Sequence, residues 1–371
     1  MFLAVREMRH AKVRFAMLVV AIALLLFLIL VQQALRDGLI DAFVGAINRQ
    51  SAPVLVYSVD GQRTLQGSVI TPPLQRTIQS TSGVGEAGMI GQSTFTTRIS
   101  GGAKTSVALF GYEKASVGGP DRLSAGRMPR TSGEAVGSEG DFALGDTVRL
   151  AGAARAPALR VVGLAGSAQI QVLPTLFVSW SDYSAWVRAA NPDASAVLPS
   201  AIGVRPSPGT TPQALVRRIN AASPQADALT RPDAAQKTPG VSSVRKSFNV
   251  IFLLFAGVVP LVAGLFFLII TLQKARALTL LRAIGAPSGV LVRSLLVQVL
   301  MVLGAGIVLG TLMWLPVSQA TVGQLSLTFD AGTVLFWAAL LLALGLASAL
   351  VAARRVLAID PVEATTGGGG L

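Results

Sequence analysis

The sequence predicts an α-helical membrane protein with four transmembrane helices and a mixed α/β extracytoplasmic domain inserted between helices 1 and 2. Three observations predict it. Four apolar runs, 15–35, 247–272, 290–315 and 333–353, are long enough to cross hydrocarbon, and Arg293 is the sole charge within them. A single long hydrophilic block, 36–246, separates the first run from the second. The basic residues outside that block all fall on one side of the resulting topology, the side predicted to be cytoplasmic.

Composition agrees. The chain has 371 residues, 52% hydrophobic and 13% charged, whereas a soluble domain carries about a quarter charged residues. Cysteine is absent, which excludes disulfides and thiolate metal sites. One histidine, His10, excludes a histidine cluster. The net charge of +13 matters less than where the charges fall.

Residues 1–14 carry Arg6, Arg9, Lys12 and Arg14 against Glu7, with Phe2, Val5 and Met8 at helical spacing. They read as an amphipathic helix on the cytoplasmic surface. The following run is too long for the apolar region of a signal peptide. Residues 15–35 form the first span, with Gln32 and Gln33 as interfacial residues near its outer end.

The block 36–246 holds 21 Lys/Arg and 14 Asp/Glu. Its roughly 200 residues suffice to bury a core, and long domains translocate regardless of charge. Strands are predicted at 54–59, 94–100, 105–111, 147–150, 159–163 and 175–179. Helices are predicted after Thr71-Pro72-Pro73, from Ser181-Asp182 to Ala190, and from Thr211-Pro212 to Ala222, each with a capping residue or N-terminal proline. Gly101-Gly102 and Gly118-Gly119-Pro120 read as turns: neither leads to Gly-Lys-Ser/Thr, and no phosphate-binding loop of that pattern occurs in the chain. Residues 231–246, with Pro232, Pro239 and Gly240, read as a linker back to the membrane.

The second span, 247–272, places Phe248, Phe252 and Phe255 on one helical face. They are candidates for an apolar substrate cleft; the plainer reading is packing. In the third span, 290–315, Gly306 and Gly310 have the spacing of tight helix contacts. A short outer loop, 316–332, leads to the fourth span, 333–353, and a tail, 354–371. Between the second and third spans, residues 273–289 hold Lys274, Arg276 and Arg282. There Leu278, Leu281 and Ile284 fit a short amphipathic helix ended by Gly285. Taken alone, this is an ordinary basic loop.

Several of these stretches resemble one family. Leu280-Leu281-Arg282-Ala283-Ile284-Gly285-Ala286 is similar to the "LRAIGA" segment of MacB/FtsX-type permeases, the membrane subunits of type VII ABC transporters. The tail Arg354-Arg355-Val356-Leu357-Ala358-Ile359-Asp360-Pro361-Val362-Glu363-Ala364 resembles the family's C-terminal signature. Gly133–Gly137, Leu144–Val148 and Arg160–Gly163 resemble its "GEVVVG…LGDTV…VVGI" run, read physically as strand, turn, strand, turn, strand. The basic N-terminal helix is also similar.

The resemblance implies a non-catalytic permease in the bacterial plasma membrane with both termini cytoplasmic. It implies a homodimer working with two copies of a separate ATPase, which carries the ATP and Mg. Leu281, Arg282, Ala283, Ile284 and Gly285 are then the ATPase-coupling element. Energy would pass by mechanotransmission, exporting a hydrophobic or amphipathic substrate. The compact form resembles HrtB-like haem-exporter permeases, so haem is one candidate cargo, although Met89 and Glu86 carry no ligand motif. An alternative from the same family is an FtsX-like regulator that activates an extracytoplasmic cell-wall hydrolase. No catalytic residue, bound cofactor, metal or nucleic-acid partner is expected for this chain. A secondary transporter is disfavoured, because the spans carry almost no charge.

Overall fold

The computed structural model describes residues 12–153, 156–193, 196–273, 288–318, 321–322, 325–326 and 330–357. The chain divides into two compact units. One comprises Arg36–Lys246 with Thr321–Ser326; the other comprises Met1–Leu35, Ser247–Ala320 and Leu327–Leu371.

The first unit is a mixed α/β domain. In chain order its strands are β1 (Val54–Ser58), β2 (Val84–Ile99), β3 (Lys104–Tyr112), β4 (Ala125–Gly126), β5 (Glu134–Ser138), β6 (Thr147–Leu150), β7 (Leu159–Ala165), β8 (Thr175–Ser179), β9 (Ala201–Pro206) and β10 (Ala226–Thr230). They form one ten-stranded sheet in the order β10-β1-β9-β2-β3-β8-β5-β7-β4, with β6 pairing β2 and β7. The β3–β8 and β5–β7 pairs are parallel.

Helix α1 (Lys12–Arg49) enters this unit with its C-terminal part, and α2 (Pro72–Ser80), α3 (Trp180–Ala190), α4 (Pro212–Ala222) and α5 (Arg231–Lys237) belong to it. Alternation along the strands sends side chains into separate cores. Val54 and Val56 of β1 pack with Leu74, Ile78, Leu215 and Ile219 of α2 and α4. Leu55 and Tyr57, one residue out of phase, pack with Val44 and Ile47 of α1, Phe110, and Ala234 and Ala235 of α5. Farther along the sheet, Leu109, Leu176 and Val178 pack under Tyr183 and Trp186 of α3.

The second unit contains the N-terminal part of α1 and three further long helices, α6 (Val241–Gln273), α7 (Ser288–Val317) and α8 (Ala331–Leu357). Among the described residues, four helices are long and apolar enough to cross a membrane, with qualifying stretches at Phe15–Arg49, Val241–Val258, Leu296–Val317 and Ala331–Ser348. Phe15, Leu18 and Ile22 of α1 pack with Val299, Val302 and Leu303 of α7. Gly306 and Gly310 allow α7 to approach α1 closely. A Cβ at Gly310 would lie 2.7 Å from the Ala23 carbonyl oxygen, and one at Gly306 would meet Ile22 at the same distance. Their spacing in the sequence therefore marks a real helix contact.

Several local expectations change. Residues 231–246 are not a linker: α5 occupies Arg231–Lys237 and α6 starts at Val241. Pro232 sits at the start of α5, where its missing N–H costs nothing. Thr230 caps that helix, its Oγ1 accepting from the Asp233 N–H at 3.3 Å. The cap of α3 is Ser179 rather than Ser181, because the Ser179 Oγ accepts from the Asp182 N–H at 3.1 Å. The first long helix does not stop at Leu35. It runs to Arg49, since Ile40, Phe43, Val44 and Ile47 supply a second apolar face at helical spacing. Between α7 and α8, two short strands, β11 (Thr321–Val322) and β12 (Leu325–Ser326), pair antiparallel.

Candidate functional site

The three phenylalanines come together as the spacing predicts. Phe248, Phe252 and Phe255 line one face of α6 and join a cluster with Leu26, Ile29 and Leu30 of α1, Trp314 of α7, and Trp337 and Leu341 of α8. Phe252 lies at its centre and is 8% exposed. Its ring centroid is 5.3 Å from Trp337 and 6.4 Å from Phe248. Phe248 and Phe255 are half-buried at the margin of the cluster. The opposite face of α6, with Leu253, Leu254 and Leu261, is exposed.

The cluster contains no charged side chain. Among the described residues of this unit, Gln298 and Ser318 are the buried polar ones, and the Ser318 Oγ donates to the Leu315 carbonyl at 2.8 Å. Such a cluster joins the helices through apolar contact area and offers no acid or base for proton transfer. The two tryptophans are the part that sequence reasoning missed. Their signal was available, since Trp near the end of a long apolar run marks a helix anchor.

The coupling residues Leu281, Arg282, Ala283, Ile284 and Gly285 lie outside the described residues. In the α/β unit, Met89 packs against the core under α2 and α4, and its N–H donates to the Glu113 carboxylate at 2.9 Å. Glu86 accepts from the Ser116 hydroxyl at 2.8 Å and faces the Lys114 ammonium at 3.9 Å. Both therefore have structural partners.

No known family profile matches the chain. Part of it resembles solved structures. The periplasmic region of MacB from Actinobacillus actinomycetemcomitans has a TM-score of 0.36 and 13% identity, covering 52% of this chain and 95% of that one. The extracellular domain of the noncanonic ABC-type transporter YknZ from Gram-positive bacteria has a TM-score of 0.31 and 12% identity, covering 48% of this chain and 99% of that one. The chain is also 24% identical over 372 residues to an uncharacterized ABC transporter permease of Mycobacterium tuberculosis strain CDC 1551 / Oshkosh, with 99% of each chain covered. An uncharacterized ABC transporter permease of strain ATCC 25618 / H37Rv matches with the same identity and coverage. Over 99% of its length, this chain is thus similar to these two ABC transporter permeases.

Proposed function

We propose that the chain is the permease subunit of an ABC transporter of the MacB/FtsX (type VII) kind. The observation that carries the reading is similarity to ABC transporter permeases over 99% of both chains. The chain has no Walker-type phosphate loop, so energy must arrive from a separate ATPase. That contact belongs on the cytoplasmic side, where the basic residues of the loop 273–289 lie. The α/β domain, inserted between the first two spans, is extracytoplasmic in this reading.

The long helices support a mechanical route. Helix α1 is one continuous element that contributes Phe15, Leu18 and Ile22 to one apolar core and Val44, Ala46 and Ile47 to another. A helix anchored by close packing at each end transmits displacement, because packed cores shift as units instead of deforming. ATP binding on the partner would push on the loop around Arg282, move the spans, and displace the α/β domain. The cargo in this reading is a hydrophobic or amphipathic molecule, with haem as one candidate, and the transporter holds two copies of this chain and two of the ATPase.

The test is reconstitution of the full chain with its cognate ATPase in proteoliposomes. The expected result is ATP hydrolysis that rises with an apolar cargo and cargo movement that needs ATP. Failure of the ATPase to associate, or hydrolysis indifferent to every cargo alongside a cell-wall hydrolase bound to the α/β domain, would contradict the transport reading.

A further inference from the structure

On one face of the sheet, four adjacent strands each carry a cation, three of them in register and the fourth, Arg160, two residues off the row. Arg98 of β2 lies directly opposite Lys104 of β3. The same Arg98 lies directly opposite Arg149 of β6. Thr147, two residues before Arg149 and so on the same face, lies opposite Arg160 of β7. All four cations are exposed. The alternate residues Thr97, Val148 and Leu159 are buried, which fixes the cationic row on the solvent side.

Like charges placed directly across strands destabilise a sheet. No carboxylate among the described residues forms an ion pair with any of the four. The acids bordering the row are engaged elsewhere. Glu134, opposite Arg160 on β5, is held by Arg127 and by the Arg130 N–H. Asp146 accepts from the Ser100 hydroxyl and the Ala143 N–H, each at 2.8 Å. Arg98 donates to the Gly102 carbonyl at 3.2 Å, which orients it but leaves its charge unbalanced.

We infer that this row is a docking surface for a linear phosphodiester polymer. Strand spacing sets the geometry: neighbouring strands lie about 4.8 Å apart, so the three in-register cations span roughly 10 Å, with Arg160 diagonally beyond them. A small anion would engage one or two of these cations, whereas a chain of repeated phosphates engages all four. Three of the four are arginines, whose planar fork matches phosphate oxygens in pairs. The next row on the same face pairs Thr96 with Ser106, both exposed, adding hydroxyl donors along the track. A membrane surface is the less suitable partner, because the row carries no apolar side chain to insert between headgroups. The inference stands independently of the permease reading.

The experiment measures binding of labelled poly(glycerol phosphate) to the detergent-solubilised full chain at several salt concentrations. Binding should weaken steeply with salt, and each cation removed should lower the log–log slope by about one. Arg98→Glu sets an acid between Lys104 and Arg149, so it should weaken binding at least tenfold while leaving the thermal midpoint unchanged or higher. Lys104→Gln should weaken it about threefold and also remain folded. The combination of lost binding and retained stability separates the docking role from a structural one. Unchanged binding by Arg98→Glu, equal binding of poly-L-glutamate, or capture by anionic lipid vesicles alone would overturn the inference.

Discussion

Tyr183 rests on two glycines. Gly91 and Gly111 lie directly opposite each other on β2 and β3, and a Cβ at either position would run into the Tyr183 ring. The ring is fixed by Trp180, 5.2 Å away, and by the Tyr183 hydroxyl, 2.9 Å from the Ser93 Oγ. Burial also pushes the Tyr183 hydroxyl above its ordinary pKa. Gly111→Ala should therefore destabilise the α/β domain by about 1–3 kcal/mol, read as a lower midpoint in thermal or urea melts of the full chain. In the sequence, Gly111 looks like the end of a strand, yet β3 continues through Tyr112. The aromatic ring that requires the glycine lies far along the chain, so its reason is not visible locally. Glu134 supplies a pH-dependent counterpart. Hydrogen bonds from Arg127 and from the Arg130 backbone hold its carboxyl at about 2, well below its ordinary 4.5. A depressed folded pKa contributes stability above the ordinary value and loses it as protons bind. Stability should thus fall between about pH 4.5 and 2, and Glu134→Gln should flatten that part of the profile.

Helices and strands were legible to different degrees. The uncharged runs identified the long helices because a span is a composition signal of about 20 residues. The small-xxx-small spacing also marked a contact, which gives a direct test. Gly310→Leu would force the added side chain into Ala23 and Leu26 of α1. It should lower the yield of folded protein and the thermal midpoint, whereas Gly257→Leu, with nothing within 4 Å of its Cβ, should leave both unchanged. Helix ends were less legible. Arg36 and Asp37 read as the start of a hydrophilic domain, but they form an ion pair with each other on a helix that continues to Arg49. Strands β9 and β10 were less legible because both are short, Ala201–Pro206 is interrupted by Gly203 and ends in Arg205-Pro206, and Ala226–Thr230 has only Thr230 as a β-branched residue. Within the candidate cleft, the stripe Phe248, Phe252 and Phe255 was legible from spacing alone. Its partners Trp314 and Trp337 come from other helices and required the fold. These roles can be separated. Phe252→Ala should destabilise the bundle by about 3–5 kcal/mol. In the transport reading, the half-buried pair Phe248→Ala/Phe255→Ala should lower export while basal ATP hydrolysis by the complex persists.

At the scale of the whole molecule, the proposal makes a topological commitment. A reporter fused at Gly119 should read extracytoplasmic, and reporters at Ala277 and Gly368 cytoplasmic. The more direct test concerns where energy enters. The loop around Arg282, in the permease reading, joins two spans on the side where nucleotide is available. In the permease reading, Leu281 and Ile284 anchor it in the ATPase, and Arg282 adds a charge-assisted hydrogen bond. An anchor of this kind is worth about 2 kcal/mol at an interface, which is roughly thirtyfold in affinity. The decisive measurement is co-purification of the cognate ATPase with wild-type chain and with the Leu281→Asp/Arg282→Glu variant, each extracted from membranes at equal abundance. The permease reading predicts stoichiometric ATPase with the wild type and at least a thirtyfold weaker complex with the variant. Equal recovery of the ATPase with both would contradict it.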